Sequence, residues 1–449
     1  MRALAPQGAP RNGILSPMEN QLRPPLRRRL LARIRTLLMR RSVRGFSHVL
    51  TGNIVLTLSQ AVQFIVLART LGPIEFGKIA AVASVTAVLT PFAGMGAANV
   101  MIMRAARDPT LLQLYFGNAL LNAVFTGAAL TALSVFGITP FLSSSASILI
   151  MLVFCMSELI FSRIIDICWH VFISNERLHW TSIFLVAQSV SRLIAVLVFL
   201  LLNGHLASAW VWWALGSNML VSGLLLLMTA DRIGRPRFDG RLAMREFSEG
   251  VPFAVGLSAK SFYTDADKVF LARYGAVESV GTYTVAFRLA QMALVPIRAV
   301  SFAAQAKYFR AGGSGIEGTI ALAMRLARPV VPLSLLIGAC FYVAAPLITL
   351  IAGSQYGGSI QILRWFAGLP LLLAVQSLLG DVLSGSGNQR AAAPIQVLSA
   401  VIAGALCVIL IPRIDWKGAV AASYLSQLFL IGSLYLAVSR LRRRSRTSG

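Results

Sequence analysis

Between Phe262 and Tyr283 the chain reads FYTDADKVFLARYGAVESVGTY, which sets Asp265, Asp267 and Lys268 inside a segment otherwise apolar enough to enter a membrane. Each ionisable group at that depth costs roughly 2.5–3.5 kcal/mol on insertion scales, so a working role is the default reading. Asp265 and Lys268 lie three residues apart on one helical face, and the alternative is that they only neutralise each other. Lys260, Thr264 and Asp267 follow at i, i+4 and i+7 and would place a cation, a hydroxyl and a carboxylate along a second face.

The other charges within apolar runs are mostly basic: Arg163, Arg192, Arg288, Arg298 and Arg364 against Glu158 and Asp166. A helical bundle lined in this way suits an anion, because guanidinium forks match the oxygens of a phosphate. Some of these charges have simpler explanations. Arg163 and Asp166 are three apart and can cancel, while Arg298 and Arg364 can snorkel to opposite surfaces. Arg192 and Arg288 have no acidic neighbour within one turn and stand near the middle of their runs, which makes them the leading anion contacts. The expected binding set is Arg192, Lys268 and Arg288, with Lys260 and Arg163 beside them, and Asp265 or Asp267 as the ion-coupling group. Catalytic and metal-binding constellations are not expected: His48, His170, His179 and His205 are scattered, and Cys155, Cys168, Cys340 and Cys407 read as small core residues.

These side chains need a membrane scaffold. A mean hydropathy of +0.73 and 57% apolar residues put the chain outside the range of soluble domains. Twelve runs approach the ~20 residues that a helix needs to cross hydrocarbon. They fall at 48–68, 79–101, 111–137, 147–170, 181–203 and 207–230, then 251–272, 283–306, 329–352, 359–380, 394–411 and 419–438. The expected fold is therefore an all-α polytopic membrane protein. A net charge of +25 would suggest nucleic acid in a soluble chain, but here the arginines sit between and outside the apolar runs, so no nucleic-acid partner is expected.

The Pro-rich residues 1–25 read as a disordered basic N-terminus, and 26–47 as a basic amphipathic helix lying on anionic lipids. A first six-helix bundle would span 48–230, a linker 231–250 and a second bundle 251–438, followed by a basic tail at 439–449. An even number of spans puts both termini on one side, and the Arg-rich ends make that side cytoplasmic.

The halves echo each other. Leu67, Ala68, Arg69 and Gly77 match Leu271, Ala272, Arg273 and Gly281 at an offset of 204, and Asn175–Arg177 answers Asn388–Arg390 at 213. Matched points six spans apart give both halves the same orientation, related by an axis along the membrane normal. Gly72, Gly77, Gly275 and Gly281 are expected to allow tight loops, and Arg69 and Arg273 to anchor the outer interface.

The run Asp267–Leu271 with Gly281, Tyr283 and Ala286 resembles the seventh and eighth spans of the polysaccharide (O-antigen type) flippases of the multidrug, oligosaccharidyl-lipid and polysaccharide (MOP) exporter superfamily. Gly387 and Asn388 before the eleventh span, and Pro412, Gly418, Ala419, Ala421 and Ala422 near the twelfth, extend the likeness over roughly 50–435. The resemblance implies two six-helix bundles in a V around a central cavity. It also implies alternating access, carrying a polyprenyl-diphosphate-linked oligosaccharide across a bacterial inner membrane. Arg192, Lys268 and Arg288 would then hold the diphosphate. No cofactor is expected beyond coupling to a proton or sodium gradient, and a glycan polymerase is a candidate partner. The first span departs from the lipid II flippases, offering only the neutral Asn53, Thr57, Ser59, Gln60 and Gln63. Two alternatives stay open. An ion-coupled multidrug exporter would need unpaired acidic cavity groups, and a glycan polymerase or ligase would need a larger outer loop.

Overall fold

The computed structural model describes residues 23–105, 108–142, 147–175, 177–313 and 315–447. The expected disordered stretch 1–25 falls almost wholly outside these residues. Side chains before Val55, where the segment 26–47 lies, are not described, and neither is that of Lys260.

The described residues are helical, with no strand among them. The first half comprises α1 (Arg23–Leu89), α2 (Ala97–Ala105), α3 (Leu112–Leu133), α4 (Ile148–Cys155), α5 (Ser162–Ser174), α6 (Leu178–Leu201) and α7 (Ala207–Ile233). The second comprises α8 (Gly240–Tyr274), α9 (Val277–Ala293), α10 (Val295–Gly312), α11 (Ile316–Val343), α12 (Leu347–Ala352), α13 (Gly357–Trp365), α14 (Leu369–Gly385), α15 (Gln389–Ile414) and α16 (Trp416–Thr447). Gly72 interrupts α1 at φ 73°, a left-handed conformation that suits glycine, and Pro73 restarts the helix where its missing N–H is harmless.

Nine helical stretches among the described residues are long and apolar enough to cross a membrane, ten if the pair α9 and Val295–Ser301, bent by 43°, counts as one. That falls short of the twelve expected, for two reasons visible in the sequence. Val55–Ala105 joins two expected spans in one stretch, and α8 is left out because Lys260, Asp265, Asp267, Lys268 and Arg273 interrupt its apolar run. The stretch 307–328, which falls between two expected spans, is also largely helix: α10 runs to Gly312 and α11 begins at Ile316. Pro329 and Pro332 lie inside α11 instead of ending it.

The packing divides the molecule by depth. One buried core joins both halves, drawing on Leu67–Ala93 and Ala195–Ala214 from the first and on Leu271–Ile297 and Cys407–Ala422 from the second. Two further cores are each confined to one half, one around Phe116, Phe172 and Phe184, the other around Tyr308, Leu383 and Leu430. The halves thus share an interior at one end and keep separate interiors at the other, which is the physical content of a V. The shared end lies where α1 reaches Gly72 and α8 reaches Gly275. The described ends of α1 and α16 lie at the opposite end.

The repeat read from the sequence is built into the shared end. A Cβ at Gly77 would strike the Val277 carbonyl oxygen, and one at Gly281 would strike that of Pro73. Adding the 204-residue offset converts one contact into the other. This corrects the tight-loop reading of Gly77 and Gly281: both lie within helices, and their missing side chains let the halves approach closely. Arg69 reaches into the other half, its Nε donating to the Ile351 carbonyl at 2.6 Å and its Nη2 to that of Leu350. Arg273 reciprocates with its guanidinium 5.1 Å from the Phe141 ring centre. The Tyr356 hydroxyl adds a bond to the Ala68 carbonyl at 3.0 Å.

Helix α8 runs along the seam, packing on α2 and α3 of the first half as well as α15 and α16 of the second. Asp239 caps its start by accepting from the Arg241 and Leu242 amides. Docking of that first stretch on the first half is polar. Arg104 pairs with Glu249 at 2.6 Å, and Asn118 donates to Glu246 at 3.2 Å.

Candidate functional site

Two clusters of ionisable side chains lie within the helices, one in each half. In the second half, Lys268 Nζ lies 2.9 Å from Asp265 Oδ1, 3.2 Å from Asp267 Oδ1 and 3.1 Å from the Thr264 carbonyl. The Phe287 ring covers it at 3.5 Å from the centroid. Tyr283, fully buried, donates to the other Asp267 oxygen at 2.5 Å. Three protein oxygens and one ring therefore surround an ammonium that is only 3% exposed. The anion contact expected of Lys268 is not what this geometry offers. Two carboxyl groups flank the single amine, and Asp265 is the most exposed member of the cluster.

In the first half the chain makes a π-helical turn at Met156–Phe161, between α4 and α5, of the kind that collects at functional sites. It carries Glu158. Arg192 on α6 bonds Glu158 Oε1 at 2.7 Å through Nη2, Ser162 Oγ at 3.3 Å, and Asn218 Oδ1 at 3.2 Å through Nε. Asn218 on α7 in turn donates to Ser157 Oγ at 2.8 Å, and Gln188 donates to Ser162 Oγ at 3.3 Å. Arg192 therefore has an acidic partner, supplied by another helix, which spacing along its own helix did not disclose.

The neighbouring Arg163 closes an ion pair with Asp166 at 2.7 Å, as the i, i+3 spacing allowed, and donates to the Ala93 carbonyl at 3.1 Å. His170 Nδ1 approaches the same carboxylate at 3.5 Å.

Arg288 stands apart. It is exposed, and no hydrogen bond or ion pair engages it among the described residues. Its place on α9 settles which way it faces. Seven residues turn an α-helix by about 700°, so Arg288 lies within about 20° of the face that carries Gly281. At Gly281 that face is pressed against the other half, whereas at Arg288 it is uncovered. Arg288 therefore lies on the face of α9 that turns toward the first half, beyond the level at which the two halves touch.

Depth places the first-half network and Arg288 at one level. At 1.5 Å per residue, Arg288 is ~16 Å from the start of α9 and Arg192 ~14 Å from the end of α6; Glu158 is ~15 Å from the start of α4 and Asn218 ~16 Å from the start of α7. Each of those helix ends lies at the shared end, so all four residues stand at a similar distance from it, about half the ~30 Å thickness of a hydrocarbon layer. The expected set is thus only partly gathered. Arg288 is exposed, Arg192 and Arg163 are half-buried in ion pairs, Lys268 is enclosed, and Lys260 lies outside the described side chains. Arg298 bonds Gln291, and Arg364 donates to the Tyr342 carbonyl at 3.4 Å.

One candidate was missed in the sequence. Asp381 on α14 lies a residue beyond the expected span 359–380, and its buried Oδ2 has no hydrogen-bond partner among the described residues; nor has the buried Tyr308 hydroxyl. An isolated acid after Gly380, in a run of Leu and Val, was the available signal. No group of three or more His, Cys, Asp or Glu able to hold a metal ion occurs among the described residues.

The fold is that of the MOP-superfamily transporters, and the chain is a multi-pass membrane protein. An inward-facing multidrug resistance MATE family transporter of that superfamily superposes with a TM-score of 0.70 at 16% identity, over 86% of this chain and 96% of that one. The lipid II flippase MurJ in an inward closed conformation gives 0.69 at 13% identity, over 87% of each chain. An outward-facing MATE family transporter gives 0.57 at 15% identity, over 88% and 96%. The comparison with curated protein sequences finds no match. The family model for polysaccharide biosynthesis proteins matches residues 42–305, more than half of the sequence, and the chain belongs to that family.

Proposed function

We propose that the protein is a flippase that moves a polyprenyl-diphosphate-linked oligosaccharide across the bacterial inner membrane by alternating access, and not an enzyme. The observation that carries this reading is Arg288, an exposed cation ~16 Å along α9 from the sealed end, on the helix face that meets the other half at Gly281. An exposed guanidinium at that depth is costly unless water or an anion meets it, and a diphosphate supplies paired oxygens for its fork. Membership of a polysaccharide biosynthesis family supports a glycan-bearing cargo. Arg163 and Arg192 keep their expected place near the cargo, with their charge offset by Asp166 and Glu158. Lys260 stays a proposed contact from the sequence alone.

The Asp265–Lys268–Asp267–Tyr283 cluster is the proposed coupling element, taking a proton or sodium ion at its more exposed carboxylate, Asp265. The sealed end is proposed to face outward and both termini the cytoplasm, consistent with the higher TM-score against an inward-facing relative than an outward-facing one. A glycan polymerase and anionic lipids remain the proposed partners.

The test is Arg288→Ala in cells that depend on the protein for glycan export, with membrane level and thermal stability checked. Loss of one charge-assisted contact predicts at least about a tenfold fall in exported glycan. Unchanged export by a normally inserted variant would remove Arg288 from the mechanism. Export of organic cations in place of glycan would favour the multidrug reading.

A further inference from the structure

We infer that the first half carries a saccharide subsite, formed by Glu158, Ser162, Gln188 and Arg192 and braced by the buried Asn218, which receives the uncharged sugar next to the diphosphate held by Arg288. This inference rests on the flippase reading and adds a division of labour between the halves: phosphate to the second, sugar to the first.

Three observations carry it. First, the network is electrically closed, since Glu158 and Arg192 pair at 2.7 Å and leave no net charge to attract a phosphate. Their side chains are nevertheless 23% and 24% exposed, so they are neither sealed into the core nor free cations. Second, they do not face lipid. The exposed large apolar residues of α6 are Ile183, Val190, Ile194, Leu197, Leu200 and Leu201; all but Leu200 lie within about 40° of Val190, and Arg192 and Gln188 stand about 160–200° around the helix from it. Third, hydrogen-bonding capacity is left over. Arg192 Nη1 and Gln188 Oε1 engage no partner among the described residues, while their sister atoms are fixed by Glu158 and Ser162.

A surface that presents a carboxylate, an amide, a hydroxyl and guanidinium N–H groups within one patch, with the buried Asn218 bracing Arg192 and Glu158 from behind, matches the chemistry of a sugar, whose hydroxyls both donate and accept. Sites built to hydrogen-bond a hydroxyl discriminate strongly against a ligand that lacks it, because their polar groups are then left unmatched. The network lies at the same depth as Arg288, as a sugar directly bonded to the diphosphate requires.

The experiment measures binding to the full chain in lipid nanodiscs with two probes, a polyprenyl diphosphate and the same lipid bearing a neutral N-acetylhexosamine disaccharide. The wild-type protein is expected to bind the glycosylated probe about tenfold more tightly. Gln188→Ala, and separately Asn218→Ser, should bring that ratio close to one while affinity for the bare lipid holds. Arg288→Ala should weaken both probes alike and preserve the ratio. Gln188 is only half-buried, so its variant tests the idea even if Asn218→Ser fails to fold. An unchanged ratio in Gln188→Ala overturns the subsite alone. Unchanged affinity of Arg288→Ala for the bare lipid overturns the diphosphate contact alone, and a wild-type protein that binds neither probe overturns both.

Discussion

Lys268 shows how much a residue's type leaves open about its surroundings. Read along the chain it is a cation within an apolar run, open to an anion or to Asp265; in space it is held by Asp265, Asp267, a carbonyl and the face of Phe287. Removing one member of a buried ionic cluster strands the others, typically at a cost of several kcal/mol. Lys268→Met should therefore destabilise the protein by roughly 3 kcal/mol, read as a lower melting temperature in detergent. Adding Asp265→Asn should recover part of the loss. A phosphate-binding lysine with no structural role would give the opposite pattern: unchanged melting and lost binding. The i, i+3 pairings of Lys268 with Asp265 and of Arg163 with Asp166 were legible in the sequence because both partners share a helix. Glu158–Arg192 was not, since its partners are 34 residues apart on different helices. Arg288 was legible as unpaired, but only its register with Gly281 reveals which way it points.

Among the elements, the repeat around Arg69 and Arg273 was visible as a matched Arg-to-Gly spacing, while its purpose was not. Sequence associates glycine with turns, and a contact between helices of different halves leaves no local signature. The pseudo-symmetric pair Gly77 and Gly281 now gives a direct expectation. Gly77→Ala and Gly281→Ala should each force the sealed end apart, and doubly labelled protein should show a longer distance across it than wild type. An unchanged distance would mean that the close approach is dispensable.

Helix α8 yields a second expectation. Burial raises Glu246 from the ordinary 4.5 to about 7, against the opposing hydrogen bond from Asn118; Glu249 and Asp239 push it up and Arg104 pulls it down. The folded state thus binds this proton more tightly than the unfolded chain. Its stabilising effect is fully present below about pH 4.5 and is lost as pH rises through about 7. Backbone amides over 240–250 should accordingly exchange faster at pH 8 than at pH 6, after correction for the intrinsic rate, and Glu246→Gln should flatten the difference. The span pattern foretold where most helices would lie, yet it treated 231–250 and 307–328 as loops. Helices that continue past the apolar run on polar contacts, as α8 does through Glu246 and Glu249, escape a hydropathy reading.

In the molecule as a whole, one shared core lies at the sealed end and two separate cores lie at the other, an arrangement suited to moving one half against the other. Packed interiors resist continuous deformation, so such motion concentrates at the shared end and along the α8 seam. The all-helical two-half plan was readable from hydropathy and the internal echo; the depth-dependent split of the core was not, because it depends on which buried faces meet. The proposed flippase passes a lipid-linked saccharide between these halves and past Arg288. Purified protein in liposomes with a polyprenyl-diphosphate-linked oligosaccharide in one leaflet, scored by accessibility of the sugar from the other side, tests this. Protein-dependent transfer that Arg288→Ala reduces at least about tenfold is expected; transfer no faster than in protein-free liposomes, from a sample shown to be folded, would rule it out.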